Sequence, residues 1–306
     1  MVAGQARTMT LTGLFVPLIT PFTAGGELAA DALEGLAHAV LDDGAAGVVA
    51  LGTTAETATL TLQERGRVLD ICTRVCAERG AQLIAGAGSN ATADSAEALA
   101  ALDPLRTTAA LTVVPYYTRP SQAGVLAHFR ALAATSPVPL IIYNIPYRTG
   151  LTLGQETLQQ LAELPNVIGF KHAVGGIDDT TVALMSGALP PDVAVLAGDD
   201  LHAAPMLALG ASGGILASAH LRTASFAALI TAWHEGPPGR ARQLGRSLAA
   251  LSSALFAEPN PVVIKAVLAA QGRIPSPAVR LPLLPASDTA TTAALRILDL
   301  GLDETG

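Results

Sequence analysis

The chain is poor in the residues on which several protein classes depend. Only two of its 306 residues are cysteine, Cys72 and Cys76, too few for a disulfide framework. They lie four apart on a predicted helix with no histidine or acid at ligand spacing beside them, so they read as packing residues and no metal site is expected. Charge is sparse as well: 14% of residues are Asp, Glu, Lys or Arg, and the formal net charge is -7. No cluster of basic residues offers a surface that could track phosphates, which excludes nucleic acid as a partner. Long apolar runs are missing. Residues 131–147 and 201–221 carry no Asp, Glu, Lys or Arg, but Pro137, Pro139 and Pro146 break the first. Pro205 and the Gly210, Gly213, Gly214 cluster break the second, so neither is a continuous membrane helix. The opening MVAGQARTMT has no apolar leader core. A soluble, cytoplasmic protein without membrane or nucleic-acid partners is the expectation.

The most informative scarcity is lysine. Of 18 basic residues, only Lys171 and Lys265 are lysine and the rest are arginine. Arginine keeps its proton near neutrality and cannot serve as an amine nucleophile, whereas lysine can once its pKa is lowered. Scarcity by itself makes Lys171 a candidate and no more, because codon bias leaves the same trace.

Half of the residues are hydrophobic, enough for a large core. Short β-branched runs at 14–20, 47–52, 82–88, 110–115, 139–146, 166–173, 193–200 and 213–219 alternate with stretches of helical spacing. The runs are nearly continuous in hydrophobicity, as strands covered on both faces are. Eight such units predict an α/β chain folded as a (β/α)8 TIM barrel over residues 9–235, with an open doubly wound sheet as the alternative. Residues 237–256, 260–271 and 288–300 look helical, so residues 236–306 are read as a C-terminal helical extension.

In such a barrel the working residues stand at the C-terminal ends of the strands. Those positions hold Gly52-Thr53-Thr54-Ala55-Glu56, Pro115-Tyr116-Tyr117-Thr118-Arg119-Pro120, Tyr143-Asn144-Ile145-Pro146-Tyr147-Arg148, Lys171, Gly198-Asp199-Asp200 and Ile215. Alternation puts Lys171 on one face with Val167 and Gly169; if that face lines the barrel, desolvation favours the neutral amine. A Schiff-base enzyme acting on a 2-oxoacid also needs carboxylate donors and a proton shuttle. Thr53 and Thr54 offer the donors, Tyr143 a general acid–base, and Arg148 a two-pronged grip on a second carboxylate. Gly86-Ala87-Gly88-Ser89-Asn90-Ala91 loosely fits a dinucleotide loop, but the acid required at the end of the next strand is missing, so it is set aside.

As a set, GTTAET, PYYTRPSQ, YNIPYRTG, the Lys171 strand, GDD and EPNP (258–261) resemble the dihydrodipicolinate synthase family of pyruvate-dependent class I aldolases, over about residues 11–285. The resemblance implies a lyase that condenses pyruvate with aspartate semialdehyde through a Lys171 imine, with no organic cofactor or metal. It implies catalytic roles for Lys171, Tyr143, Thr53 and Tyr117, the last reaching in from the neighbouring subunit, and substrate-binding roles for Thr54, Arg148, Ile215 and Gly198. It further implies a homotetramer built as a dimer of dimers and a place in lysine and diaminopimelate biosynthesis. Arg148 favours aspartate semialdehyde over the sugar aldehydes of related aldolases; a family member with another aldehyde, or an idle 2-oxoacid-binding paralogue, are the alternatives.

Two positions depart from the family pattern. Ala55 replaces a glycine and is expected to crowd its loop; His172 replaces a glutamate and is expected to change the charge around the nucleophile and the substrate choice. The positions resembling the family's lysine-feedback pocket keep Asn90 and Tyr116 but carry Asp94, Leu62 and Arg65. A cationic Arg65 disfavours a cationic effector, so lysine is expected to inhibit weakly. Micromolar inhibition in an activity assay would contradict this.

Overall fold

The computed structural model describes residues 11–187 and 189–299. The first ten residues, including the stretch read for a leader and the outermost positions of the expected barrel, lie outside the described residues, as do 300–306 at the end of the expected extension. Eight strands run in sequence order: β1 Gly13–Pro17, β2 Gly47–Ala50, β3 Gln82–Gly86, β4 Ala109–Val113, β5 Leu140–Asn144, β6 Val167–His172, β7 Ala194–Ala197 and β8 Gly213–Ile215. Each pairs in parallel with the next, and β8 returns to β1 with Gly213 opposite Gly13, closing a (β/α)8 barrel. Closure removes the open-sheet alternative.

The helices are α1 Ala30–Asp42, α2 Leu62–Arg79, α3 Thr92–Ala100, α4 Gln122–Thr135, α5 Pro146–Thr149, α6 Gln155–Ala162, α7 Asp179–Ser186, α8 Ala203–Ala208, α9 Ala219–His234, α10 Pro238–Leu255, α11 Val262–Ala270 and α12 Asp288–Asp299. Among the described residues no helix is long and apolar enough to cross a membrane.

Local chemistry sets the helix ends. In α2 the Thr61 hydroxyl accepts from the Glu64 amide while the Glu64 carboxylate accepts from the Thr61 amide, a reciprocal cap. Gly80, at φ 62, ends the helix in the left-handed conformation that a Cβ disfavours. Val68, Ile71, Cys72, Val75 and Cys76 recur at three- and four-residue steps and bury one face against the sheet. Both cysteines are free, and burial raises both thiols, that of Cys76 to about 11 and that of Cys72 further. They stay protonated, inert packing groups, as expected.

Side chains pointing into the barrel form their own cluster, with Phe15, Val49, Ile84, Leu111, Tyr143, Leu196 and Ile215 drawn from seven strands. Side chains pointing out pack under the helices. A third cluster joins α10, α11 and α12 to α1 and the start of α9 through Leu36, Leu221, Leu251, Val263, Val267 and Ala294.

In β6 the strict alternation expected around Lys171 is broken. Leu140 pairs with Val167 but Ile141 pairs with Gly169, so β6 carries one extra residue at Ile168. That bulge breaks strict alternation. Val167 packs outward with the helices while Ile168 joins the interior cluster. Gly169 still pairs with the inward Ala194, and Lys171 with the inward Leu196, so Lys171 enters the barrel as anticipated.

Candidate active site

The C-terminal mouth of the barrel holds a cavity. Its floor and walls bring together Lys171, Tyr143, Thr53, Thr54, Arg148, Ile215 and Gly198, seven of the eight residues singled out from the sequence. The eighth, Tyr117, does not line it. Tyr117 sits at φ 67 with 88% of its surface exposed.

Lys171 is buried, and its Nζ lies 4.2 Å from the ring centroid of Tyr143 on the neighbouring strand. Burial holds the amine well below the ordinary lysine value, against the pull of Asp200 and Asp199. The buried Asp200 carboxyl is in turn raised above the usual carboxylate range by desolvation. Its two oxygens accept the amides of Ala217 (3.0 Å) and Ser218 (3.1 Å), tying the β7 turn to the chain that follows β8. Tyr143 is buried as well, and desolvation raises its phenol far above the ordinary value; a side-chain hydrogen bond from Thr53 is a weaker, opposing influence. An amine whose neutral form burial favours, beside a protonated phenol, is the pairing that carbinolamine chemistry requires.

Gly198 serves by being small. A Cβ there would come within 2.9 Å of Lys171 Cγ and 3.0 Å of the His172 carbonyl oxygen. The same reasoning explains the discarded dinucleotide-like loop. A Cβ at Gly86 would meet the Leu51 carbonyl oxygen at 2.1 Å, so that glycine is demanded by strand packing.

The threonine loop is held in an unusual conformation. Leu51 (φ 57) and Glu56 (φ 54) both adopt the left-handed region that non-glycine residues rarely enter, and Thr53–Ala55 form a 3-10 turn between them. Ala55 is not among the left-handed residues; it is buried, and its carbonyl accepts from the Thr20 hydroxyl at 2.7 Å. The alanine therefore carries no left-handed backbone strain of the kind that would demand glycine.

His172 also departs from expectation. The residue after an inward Lys171 points outward, and His172 is buried between sheet and helices, outside the cavity. Its Nε2 pairs with the Thr181 hydroxyl at 2.9 Å, and Thr181 donates to Asp178 at 2.7 Å, so Nε2 carries the proton. Nδ1 faces the Asn144 amide nitrogen at 3.4 Å. Burial lowers the His172 pKa and so favours the neutral ring, and the side chain does not line the cavity that Lys171 faces.

The positions read as a feedback pocket are distributed over α2, the loop after β3, α3 and the loop after β4: Leu62 and Tyr116 are exposed, while Arg65 and Asn90 are half-buried.

Phe256 and Asn260, to which the sequence alone assigns no role, reach the cavity from the C-terminal helices. Asn260 Nδ2 donates to Thr54 Oγ1 at 2.9 Å, so the Thr54 hydroxyl proton is free to be donated elsewhere. The signal was present in the EPNP motif, but nothing in its composition connects it to a loop two hundred residues earlier. Lys265, the other lysine, was also without a role. Fully buried in α11, it places Nζ 2.6 Å from Glu56 Oε1 and 4.1 Å from the Phe22 ring centroid.

The chain matches the model of the dihydrodipicolinate synthetase family over residues 10–300. It is 40% identical to the 4-hydroxy-tetrahydrodipicolinate synthase of Thermosynechococcus vestitus over 288 residues, 93% of this chain and 96% of the relative. The Synechococcus elongatus enzyme of the same name is 41% identical, with 93% and 95% covered. Among solved structures, dihydrodipicolinate synthase from Aquifex aeolicus superposes with a TM-score of 0.89 at 34% identity, covering 95% of this chain and 98% of its own. The chloride-inhibited enzyme from Acinetobacter baumannii, complexed with pyruvate, gives 0.90 at 34% identity with 95% and 98% covered. With a barrel, a buried lysine and a matched family spanning nearly its whole length, the chain belongs to the dihydrodipicolinate synthetase family.

Proposed function

We propose that this chain condenses pyruvate with aspartate 4-semialdehyde to give 4-hydroxy-tetrahydrodipicolinate, the step that opens the diaminopimelate route to lysine. The observation that carries the reading is the Lys171 amine, desolvated and facing a cavity it shares with Tyr143, Thr53 and Arg148. The neutral amine attacks the pyruvate keto carbon, and the resulting carbinolamine oxygen leaves as water after taking a proton from Tyr143. Thr54, its oxygen already accepting from Asn260, donates its proton to the pyruvate carboxylate. Loss of a C3 proton gives the enamine, which attacks the aldehyde carbon; the aldehyde oxygen takes a proton and becomes the hydroxyl. The substrate amine then adds to the imine carbon and Lys171 leaves, closing the ring. The covalent imine supplies the electron sink, so the scheme uses no organic cofactor or metal.

Arg148, exposed at the mouth, receives the carboxylate of the aldehyde, and Ile215 and Gly198 shape the pyruvate end. Tyr117 extends the proton relay formed with Thr53 and Tyr143 into a neighbouring copy of the chain. Its exposure supports that role, and a homotetramer assembled as a dimer of dimers in the cytoplasm is the corresponding assembly. A coupled assay tests the substrate. Wild type is expected to turn over aspartate semialdehyde and not sugar aldehydes, while Arg148→Ala raises the aldehyde KM and lowers kcat/KM by roughly 10²-fold, the scale of a lost charge-assisted anchor. Preference for a sugar aldehyde in wild type would overturn the substrate assignment.

A further inference from the structure

Tyr147 takes no part in the chemistry derived above, yet it closes a ring of contacts over the nucleophile. It lies in α5, just beyond β5, and its hydroxyl donates to Asp199 Oδ1 at 3.1 Å beyond the end of β7. The strand between β5 and β7 is β6, which carries Lys171. The second oxygen of Asp199 accepts the Gly175 amide at 2.7 Å, in the loop that follows β6. Three consecutive strand-end loops are thus tied together across the mouth by one phenol and one carboxylate. The ring itself lies against the same loop. A Cβ on Gly175, a residue at φ +79, would stand 3.9 Å from Tyr147 Cδ1. The Arg148 guanidinium carbon is 6.0 Å from the Tyr147 ring centroid.

Tyr147 lines the cavity on one side and faces solvent on the other, being 58% exposed. Burial of the part within the site, reinforced by the Asp199 carboxylate, raises its phenol well above the ordinary value. The hydroxyl therefore remains a donor at any working pH, and the strap stays closed.

Resting on the function proposed above, we propose that Tyr147 is a specificity-determining residue for the aldehyde substrate. Its ring is the outer wall of the space between Arg148 and Lys171, and its hydroxyl fixes that wall by holding Asp199. Pyruvate is small enough to pass beneath and react. The aldehyde must then fit within the wall while its carboxylate reaches Arg148, which admits a short carboxylate-bearing aldehyde and excludes a long polyhydroxylated one.

The test compares wild type with Tyr147→Ser and Tyr147→Phe, using aspartate semialdehyde and D-arabinose as competing acceptors. In Tyr147→Ser the kcat/KM ratio is expected to move toward the sugar by about tenfold or more, chiefly through the aldehyde KM, with the KM for pyruvate unchanged. Tyr147→Phe keeps the ring and continues to reject the sugar, but with Asp199 released its KM for aspartate semialdehyde rises about threefold to tenfold. A Tyr147→Ser enzyme that forms the pyruvate adduct at the wild-type rate with an unchanged ratio overturns the wall. An unchanged aldehyde KM in the nearly isosteric Tyr147→Phe overturns the strap, even if the serine variant fails to fold. A wild type that forms no pyruvate adduct would strike the function reading itself and leave a different signature, since all three proteins would then be inert.

Discussion

Borohydride added to the protein together with pyruvate is expected to fix one adduct, on Lys171, and none on Lys265. The contrast is sharp because burial depresses both amines, Lys265 to about 8. A criterion based on pKa alone would nominate either lysine. Geometry separates them: Lys171 opens onto the cavity beside Tyr143, whereas Lys265 is fully buried with a carboxylate oxygen 2.6 Å from its Nζ. Peptide mapping of the reduced protein by mass spectrometry reads the result directly. Lys171→Ala should abolish the adduct and lower kcat by at least about 10³-fold, the order seen when a covalent nucleophile is removed. Imine formation should also quicken as pH rises through an apparent pKa below that of ordinary lysine, because only the neutral amine attacks and burial favours that form. An adduct on Lys265, or one that persists in Lys171→Ala, would end the Schiff-base reading.

The second large effect is expected from Lys265→Met. The ion pair with Glu56 has both side chains essentially out of solvent, and the other Glu56 oxygen accepts the Arg280 amide at 3.0 Å. Burial pushes the Lys265 amine down against the pull of Glu56, but at about 8 it stays charged at neutral pH. Removing it leaves the Glu56 carboxylate buried with its charge uncompensated, a change worth roughly 3–5 kcal/mol. For a chain of this size that is a fall in Tm on the order of 8 °C. Glu56→Gln combined with Lys265→Met removes both charges together and should recover part of the loss, a coupling that a double-mutant cycle measures. Activity should suffer as well. Glu56 follows Thr53–Ala55 directly and sits at φ 54, so its carboxylate helps hold the threonine loop in a conformation that the backbone alone disfavours. A Lys265→Met protein that melts within about 2 °C of wild type would show that the pair contributes little.

The barrel was largely legible because its signals are local. Each strand announces itself by a short β-branched run, each helix by its spacing and caps, and eight repeats of that pattern leave one common architecture. The reactive constellation was legible for the same reason: strand ends can be found without knowing how the strands are arranged, and Lys171, Tyr143 and Thr53 all stand at strand ends. Val167 was placed on the wrong face because one extra residue in β6 reverses the alternation before it, and the sequence Val-Ile-Gly gives no sign of where the bulge falls. His172 was expected to influence the nucleophile because it is its neighbour in the chain. In a strand, nearest neighbours point to opposite faces, so adjacency put the histidine on the far side of the barrel wall.

The amino-acid sequence by itself determined the barrel, the lysine proposed as nucleophile and most of the residues that share its cavity, since each depends on periodicity or on position at a strand end. Only the tertiary structure decided what the other lysine does, that Asn260 sets the direction of the Thr54 hydroxyl, and that Tyr147 reaches over β6 to Asp199. These contacts join residues separated by 52 to 209 positions, and no local pattern encodes the closure of the barrel and the docking of the C-terminal helices that bring them within hydrogen-bonding distance.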